Sequence, residues 1–69
     1  MSAANPLHAL IADLVPAGSR VLDLGCGDGS LLAQLMHGKG CTGYGIELND
    51  ENVQSGMAKG LPILQLNLE

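Results

Sequence analysis

Apolar positions along this chain of 69 residues fall into alternating blocks of helical and strand-like spacing. Leu7, Leu10, Ile11, Leu14 and Val15 recur at i, i+3, i+4, i+7 and i+8, which is one face of a helix. Asn5 can cap that helix and Pro6 suits its first turn, while Pro16 and Gly18 stop it. Arg20–Leu24 follows as a short strand rich in branched apolar residues, and Gly25–Gly29 as a turn. From Ser30 to His37 the residues Leu31, Leu32, Leu35 and Met36 form two adjoining stripes, the pattern of a helix laid on a sheet, with Gly38 or Gly40 ending it. Thr42–Glu47 reads as a second strand, weakened by Gly43 and Gly45. Asn49 is placed to cap a third helix over Asp50–Ala58, whose first-turn acids suit the helix dipole, and Gly60 closes it. Pro62–Leu66 completes the series as a third strand, with proline at its first position.

The order is α-β-α-β-α-β. Strands alternating with short helices imply right-handed crossovers and a parallel sheet, and such sheets are covered on both faces. The expected fold class is α/β: three parallel strands alternating with three helices, the first half of a doubly wound domain. Residues 1–69 are then expected to be the N-terminal part of one domain, cut short of completion.

Composition narrows the function classes. Hydrophobic content of 46% argues against disorder. The formal net charge is −4, and the basic residues Arg20, Lys39 and Lys59 are scattered, so the clustered cations that neutralise phosphates are missing. Tyr44 is the single aromatic residue, which leaves no platform for stacking bases. No nucleic-acid partner is expected. No run approaches the roughly 20 apolar residues of a membrane span. The start, Met1–Asn5, has no basic region of a secretory signal. Cys26 and Cys41 are too few for a disulfide scaffold and fit no zinc spacing. Both are expected to be reduced thiols in a cytoplasmic protein, with no metal site.

The chemistry concentrates in Val21-Leu-Asp-Leu-Gly-Cys-Gly-Asp-Gly29. Ligands of open α/β sheets bind at the carboxyl ends of the strands, where this turn lies, and glycines allow close approach and positive φ. A dinucleotide turn has the spacing G-x-G-x-x-G, with pyrophosphate over the helix start. Here the last glycine of that frame is Ser30, and Asp23 precedes the turn. A carboxylate beside the turn repels pyrophosphate and attracts an ammonium group. S-adenosylmethionine has an ammonium and a sulfonium and no phosphate, so charge favours it over NAD. Glu47, at the end of the second strand, can accept hydrogen bonds from ribose hydroxyls, which both ligands carry. The alternatives are that Asp23 only caps the turn or the following helix and that Glu47 is only a solvated acid.

Val21–Gly29 resembles the first motif of class I methyltransferases, and Tyr44-Gly-Ile-Glu47 resembles their acidic second motif. The wider wording, Arg20-Val-Leu-Asp-Leu-Gly-Cys-Gly-Asp-Gly-Ser-Leu-Leu32 and Gly43-Tyr-Gly-Ile-Glu47, continuing to Gln65-Leu-Asn-Leu-Glu69, is similar to the MetW-type methionine biosynthesis proteins within that superfamily. The resemblance covers about Val15 to Glu69 and implies a Rossmann-like class I fold. It places Asp23 by the methionyl amino group, the backbone of Gly25, Cys26 and Gly27 under the ligand, Glu47 on the ribose and Leu48 against the adenine. Many methyltransferases have an aspartate at the end of the third strand for the adenine amino group. The nearest position here is Asn67, whose amide oxygen can still accept that bond.

No catalytic residue is identified, since acceptor-contacting groups of such domains come from later strands, and the chain alone is not expected to methylate a substrate. The resemblance also implies homoserine O-acetyltransferase as a partner, with the site acting as a metabolite sensor. A plain NAD-binding half-domain is the third reading. Asp28 is expected to cap the second helix, His8 and His37 to be solvated, Cys26 to serve packing or backbone contact, and Tyr44 to pack in the sheet. A first strand with one free edge and uncovered apolar faces also predicts self-association.

Overall fold

A computed structural model describes residues 5–67; Met1, Leu68 and Glu69, which the sequence reading includes, lie outside the described residues. The elements follow in the expected order: α1 (Pro6–Leu14), β1 (Arg20–Leu24), α2 (Ser30–Lys39), β2 (Thr42–Glu47), α3 (Asp50–Ala58) and β3 (Ile63–Gln65). Asn5 caps α1, its Oδ1 accepting from the Leu7 and His8 amides at 2.9 and 3.3 Å. Asn49 caps α3 by accepting from the Asn52 amide at 2.9 Å. One boundary is settled between the two stops expected for it, and one differs from expectation. Gly38 is taken into α2, and the helix ends at Gly40 in the left-handed region, where the Cys41 amide turns back to the Leu35 carbonyl. β3 is three residues long, because Pro62 has no N–H for the ladder, although its carbonyl still accepts from Gly45.

The strands form one parallel sheet in the order β1-β2-β3. Register partners share a face of the sheet. Val21, Gly43, Gly45 and Ile63 therefore point one way; Leu22, Leu24, Tyr44, Ile46 and Leu64 point the other. The first face carries the core. Leu32, Val53, Leu61 and Ile63 form one buried cluster, and Ala12, Leu35 and Cys41 a second, with Val21 packed against both. All three helices contribute to these clusters, so all three lie on that face.

This corrects the expectation of a sheet covered on both sides. Two right-handed crossovers that step in the same direction put both their helices on the same face. Among the described residues the opposite face stays open, with Leu22, Leu24, Tyr44 and Leu64 exposed. Tyr44 thus lies on the open face and is not packed in the core. Leu7, Leu10 and Leu14, the outer stripe of α1, are exposed as well. The outer edge of β1 has no strand partner among the described residues.

Candidate functional site

The parallel register brings the carboxyl ends of the strands to one edge of the sheet, and the turn that follows β1 folds over the end of β2. The Gly25 and Cys26 amides both donate to the Ile46 carbonyl, at 2.8 and 3.0 Å, and the Gly29 amide donates to the Cys26 carbonyl at 3.1 Å. The Gly27 amide donates to Glu47 Oε1 at 2.8 Å. Gly25, Gly27 and Gly29 all have positive φ, at 70°, 61° and 84°, which explains the alternating glycines. A turn that cradles phosphate presents several free N–H groups to the anion. Here the amides of Gly25, Cys26, Gly27 and Gly29 are all spent within the protein.

Two carboxylates flank this turn. Asp23 sits on the helix-covered face of β1. Burial pushes its carboxyl up, and the nearby imidazole of His8 on α1 pulls it part of the way back. His8, expected to be solvated, is partly buried and lies near Asp23. Glu47 is held below the ordinary glutamate range by the Asn49 amide and then the Gly27 amide. Its second oxygen, Oε2, accepts from Asn49 at 3.0 Å.

Asp28 does the capping work expected of it, from one position further out. Gly29 is the N-cap of α2 and has no side chain to offer. Asp28 Oδ1 accepts from the Ser30 amide at 3.1 Å and from its hydroxyl at 2.6 Å, which lowers the Asp28 pKa. Lys59 Nζ lies 3.3 Å from Asp28 Oδ2, an exposed pair joining the end of α3 to the turn.

Cys26 places its sulfur over Gly45, where an added Cβ would stand 2.6 Å from Sγ. Burial, then the charges of Asp23 and Glu47, push its thiol up. A helix start lowers a thiol pKa, but here the two acids and burial win, so Cys26 packs and is a poor nucleophile.

Leu48 follows Glu47 and is exposed, as is Leu66 beyond β3. Gln65 was missed by the sequence reading. Its Nε2 donates to the Leu48 carbonyl at 3.1 Å and to Asp50 Oδ1, fixing the segment that carries Leu48. A glutamine one residue before the end of a strand-like run carries no local signal of that job. Asn67 lies two residues beyond the end of β3, on the same edge of the sheet as Glu47, whose register partner is Gln65. The geometry thus brings Gly27 and Glu47 into direct contact and sets Asp23, Leu48 and Asn67 at the same end of the strands.

A mostly apolar cleft of about 590 Å³ lies at the other end, among the strand starts Arg20 and Thr42 with Met36, Tyr44 and Pro62. It holds none of these residues. In an open parallel sheet the ligand end is the carboxyl end, which makes the glycine turn the candidate site.

The sequence matches the family described as "Methionine biosynthesis protein MetW" over residues 5–69. It is 35% identical over 66 residues to the bifunctional methionine biosynthesis protein MetXA/MetW of Rhodopirellula baltica, an alignment covering 84% of this chain and 11% of that protein. The fold is that of Rossmann-like S-adenosylmethionine-dependent methyltransferases. A TehB-like methyltransferase from Corynebacterium glutamicum superposes with a TM-score of 0.71 at 22% identity, over 88% of this chain and 34% of that one. A methyltransferase from Thiobacillus denitrificans, solved with S-adenosyl-L-homocysteine, gives a TM-score of 0.67 at 28% identity, over 91% of this chain and 29% of its own. The chain therefore spans about a tenth of the curated relative and about a third of these structures.

Proposed function

Because the chain belongs to the MetW family of methionine biosynthesis proteins, we propose that it binds S-adenosylmethionine at the carboxyl ends of its strands, as part of a methyltransferase-like domain linked to methionine biosynthesis. The observation that carries this reading is the glycine turn with its amides already satisfied and an acid on either side. Such a site has little to offer pyrophosphate and suits a cationic nucleoside that lacks one. In this reading Asp23 faces the ligand's ammonium group. Gly25, Cys26 and Gly27 pass their backbone beneath it, Glu47 accepts from the ribose hydroxyls, and Leu48 and Asn67 border the adenine. The relative from Thiobacillus denitrificans, solved with S-adenosyl-L-homocysteine, supports the choice of ligand.

When bound, S-adenosylmethionine supplies an activated methyl group on a sulfonium. The residues of this chain bind and orient it. None of them is assigned to the acceptor.

The test is an NMR titration with S-adenosylhomocysteine, using NADH as the control. Selective shifts at the amides of residues 23–29 and around Glu47 support the reading. Saturable NADH binding at the same amides, without response to S-adenosylhomocysteine, would replace it with a dinucleotide site.

A second reading concerns partners. The name of the Rhodopirellula baltica relative joins MetXA and MetW in one bifunctional protein. This supports the association with homoserine O-acetyltransferase that the resemblance implies; in the same proposal that association is cytoplasmic and regulatory, with the site reporting cofactor levels. Co-purification of the two proteins without methyl transfer by the full domain favours this reading; labelled methyl transfer without association removes it. The sheet face and the edge of β1 that are uncovered among the described residues further support self-association through that side. Sedimentation showing a monomer at every concentration would rule that out.

A further inference from the structure

The bond between Gly27 and Glu47 spans two elements and twenty residues of chain. Its position in the turn explains its importance. The Ile46 carbonyl already accepts from both Gly25 and Cys26, so the backbone of β2 has no further acceptor there for the third amide of the turn. The Glu47 side chain supplies one. The other carboxylate oxygen is bonded to the Asn49 amide, at the residue that caps α3. The carboxylate is thus anchored to a helix start on one side and holds the tip of the glycine turn on the other. A carboxylate has about four lone-pair sites on its two oxygens. The Gly27 and Asn49 amides take one on each oxygen, and the Leu48 amide and the Asn52 side chain also act on the carboxylate.

We propose that Glu47 is a positioning residue, which through the Gly27 amide sets the shape of the glycine turn before any ligand arrives, in addition to its contact with the ribose. The proposal rests on the reading of this site as an adenosyl-cofactor site. Its first half, however, concerns the ligand-free protein. Removing the carboxylate frees a left-handed glycine at the tip of the turn, and the surface offered to the whole ligand changes, including the part far from the ribose.

The experiment compares the full chain with Glu47→Gln, which keeps one acceptor oxygen and the side-chain volume. Two probes are titrated: S-adenosylhomocysteine, and its 2′,3′-dideoxy analogue, which lacks the hydroxyls. If Glu47 positions the turn, the ligand-free Gly27 amide resonance moves on substitution. Both probes then lose about tenfold in affinity, the scale of one charge-assisted hydrogen bond. If Glu47 only contacts the ribose, the dideoxy analogue binds the variant as well as it binds the parent, and the proposal is overturned.

A second measurement needs no variant. In the parent chain, acidification should move the Gly27 and Asn49 amide protons together, with the midpoint of the Glu47 carboxyl carbon. The neighbouring carboxyls of Asp23 and Asp28 titrate by their own side-chain signals and must be followed separately. Amides that ignore the Glu47 titration would overturn the proposal without any ligand. If the amides follow Glu47 and neither probe binds the parent, the cofactor reading falls and the positioning of the turn stands.

Discussion

A Cβ added to Gly43 would stand 1.8 Å from the carbonyl oxygen of Val21, its register partner on β1. The clashing atom is backbone in the middle of a ladder, and Gly43 has a φ of 144°, so neither side can yield cheaply. Gly43→Ala is expected to cost about 3 kcal/mol or more, a large share of the stability of so small a domain. Gly38 provides the control. It lies inside α2 with open space around it, and Gly38→Ala should stabilise by about 0.5–1 kcal/mol. Urea unfolding of the two variants checks both signs.

These two glycines show what the sequence could and could not reveal. Spacing and caps made every element legible: Asn5 and Asn49 cap where expected, and the alternating order predicted the parallel sheet. The shielding of each apolar stripe was not legible. Leu7, Leu10 and Leu14 mark a helix by period, but their burial depends on what stands opposite, and nothing in the described residues does. The candidate site was legible as positions at strand ends, because glycines and acids there carry a local signal. The bonds that tie them together were not. The Gly27–Glu47 contact, the nearness of His8 to Asp23 and the grip of Gln65 on Leu48 are set by register and crossover geometry, which bring together residues distant in sequence.

The turn's two outer attachments differ in worth. Asp28 satisfies the Ser30 amide at the start of α2, so Asp28→Ala is expected to destabilise by about 1 kcal/mol, the usual cost of losing a cap. Lys59→Ala removes the exposed ion pair and a long contact to the Asp28 carbonyl, and should cost about 0.5 kcal/mol or less. Thermal melts at low and high salt separate them: the Lys59 effect should fade with salt and the Asp28 effect should largely persist. Equal losses would show that the pair is the main attachment.

The two acids by the turn pull stability in opposite directions with pH. The Asp23 carboxyl is raised by burial, so the folded state holds its proton more tightly than the unfolded state. That contribution is complete below the unfolded value and is lost as pH rises through the folded one. Glu47 and Asp28 are depressed; what they contribute is present above their unfolded values and is lost as pH falls through the folded ones. Asp23→Asn is therefore expected to stabilise the ligand-free protein at neutral pH while weakening S-adenosylhomocysteine about tenfold by loss of the ammonium partner that we propose. Unfolding curves across the acid range, paired with calorimetric titrations, check both effects. A less stable Asp23→Asn at neutral pH would contradict the assignment of burial as the dominant influence.

Cys26 should be slow to alkylate at neutral pH, since its thiol is raised and partly covered by packing on Gly45. The rate with iodoacetamide should rise only as pH passes above the ordinary thiol range. Cys26→Ala should keep S-adenosylhomocysteine affinity within about threefold, because in the proposed site the residue meets the ligand through its backbone, and lose about 1 kcal/mol of stability from the vacated packing. A large loss of affinity would assign the sulfur a direct part in binding.

The turn that spends its own amides has a consequence for occupancy over time. Many phosphate-binding loops leave donors waiting for an anion, and their order depends on its presence. Here Ile46, Cys26 and Glu47 satisfy those donors from within. In an empty site of this kind the amides of Gly25, Cys26, Gly27 and Gly29 stay bonded, so in the proposed reading the ligand departs without the loop losing them. Filling and emptying can then follow the free ligand concentration closely and reversibly, as a gauge requires and as a carrier exchanged after every round requires equally.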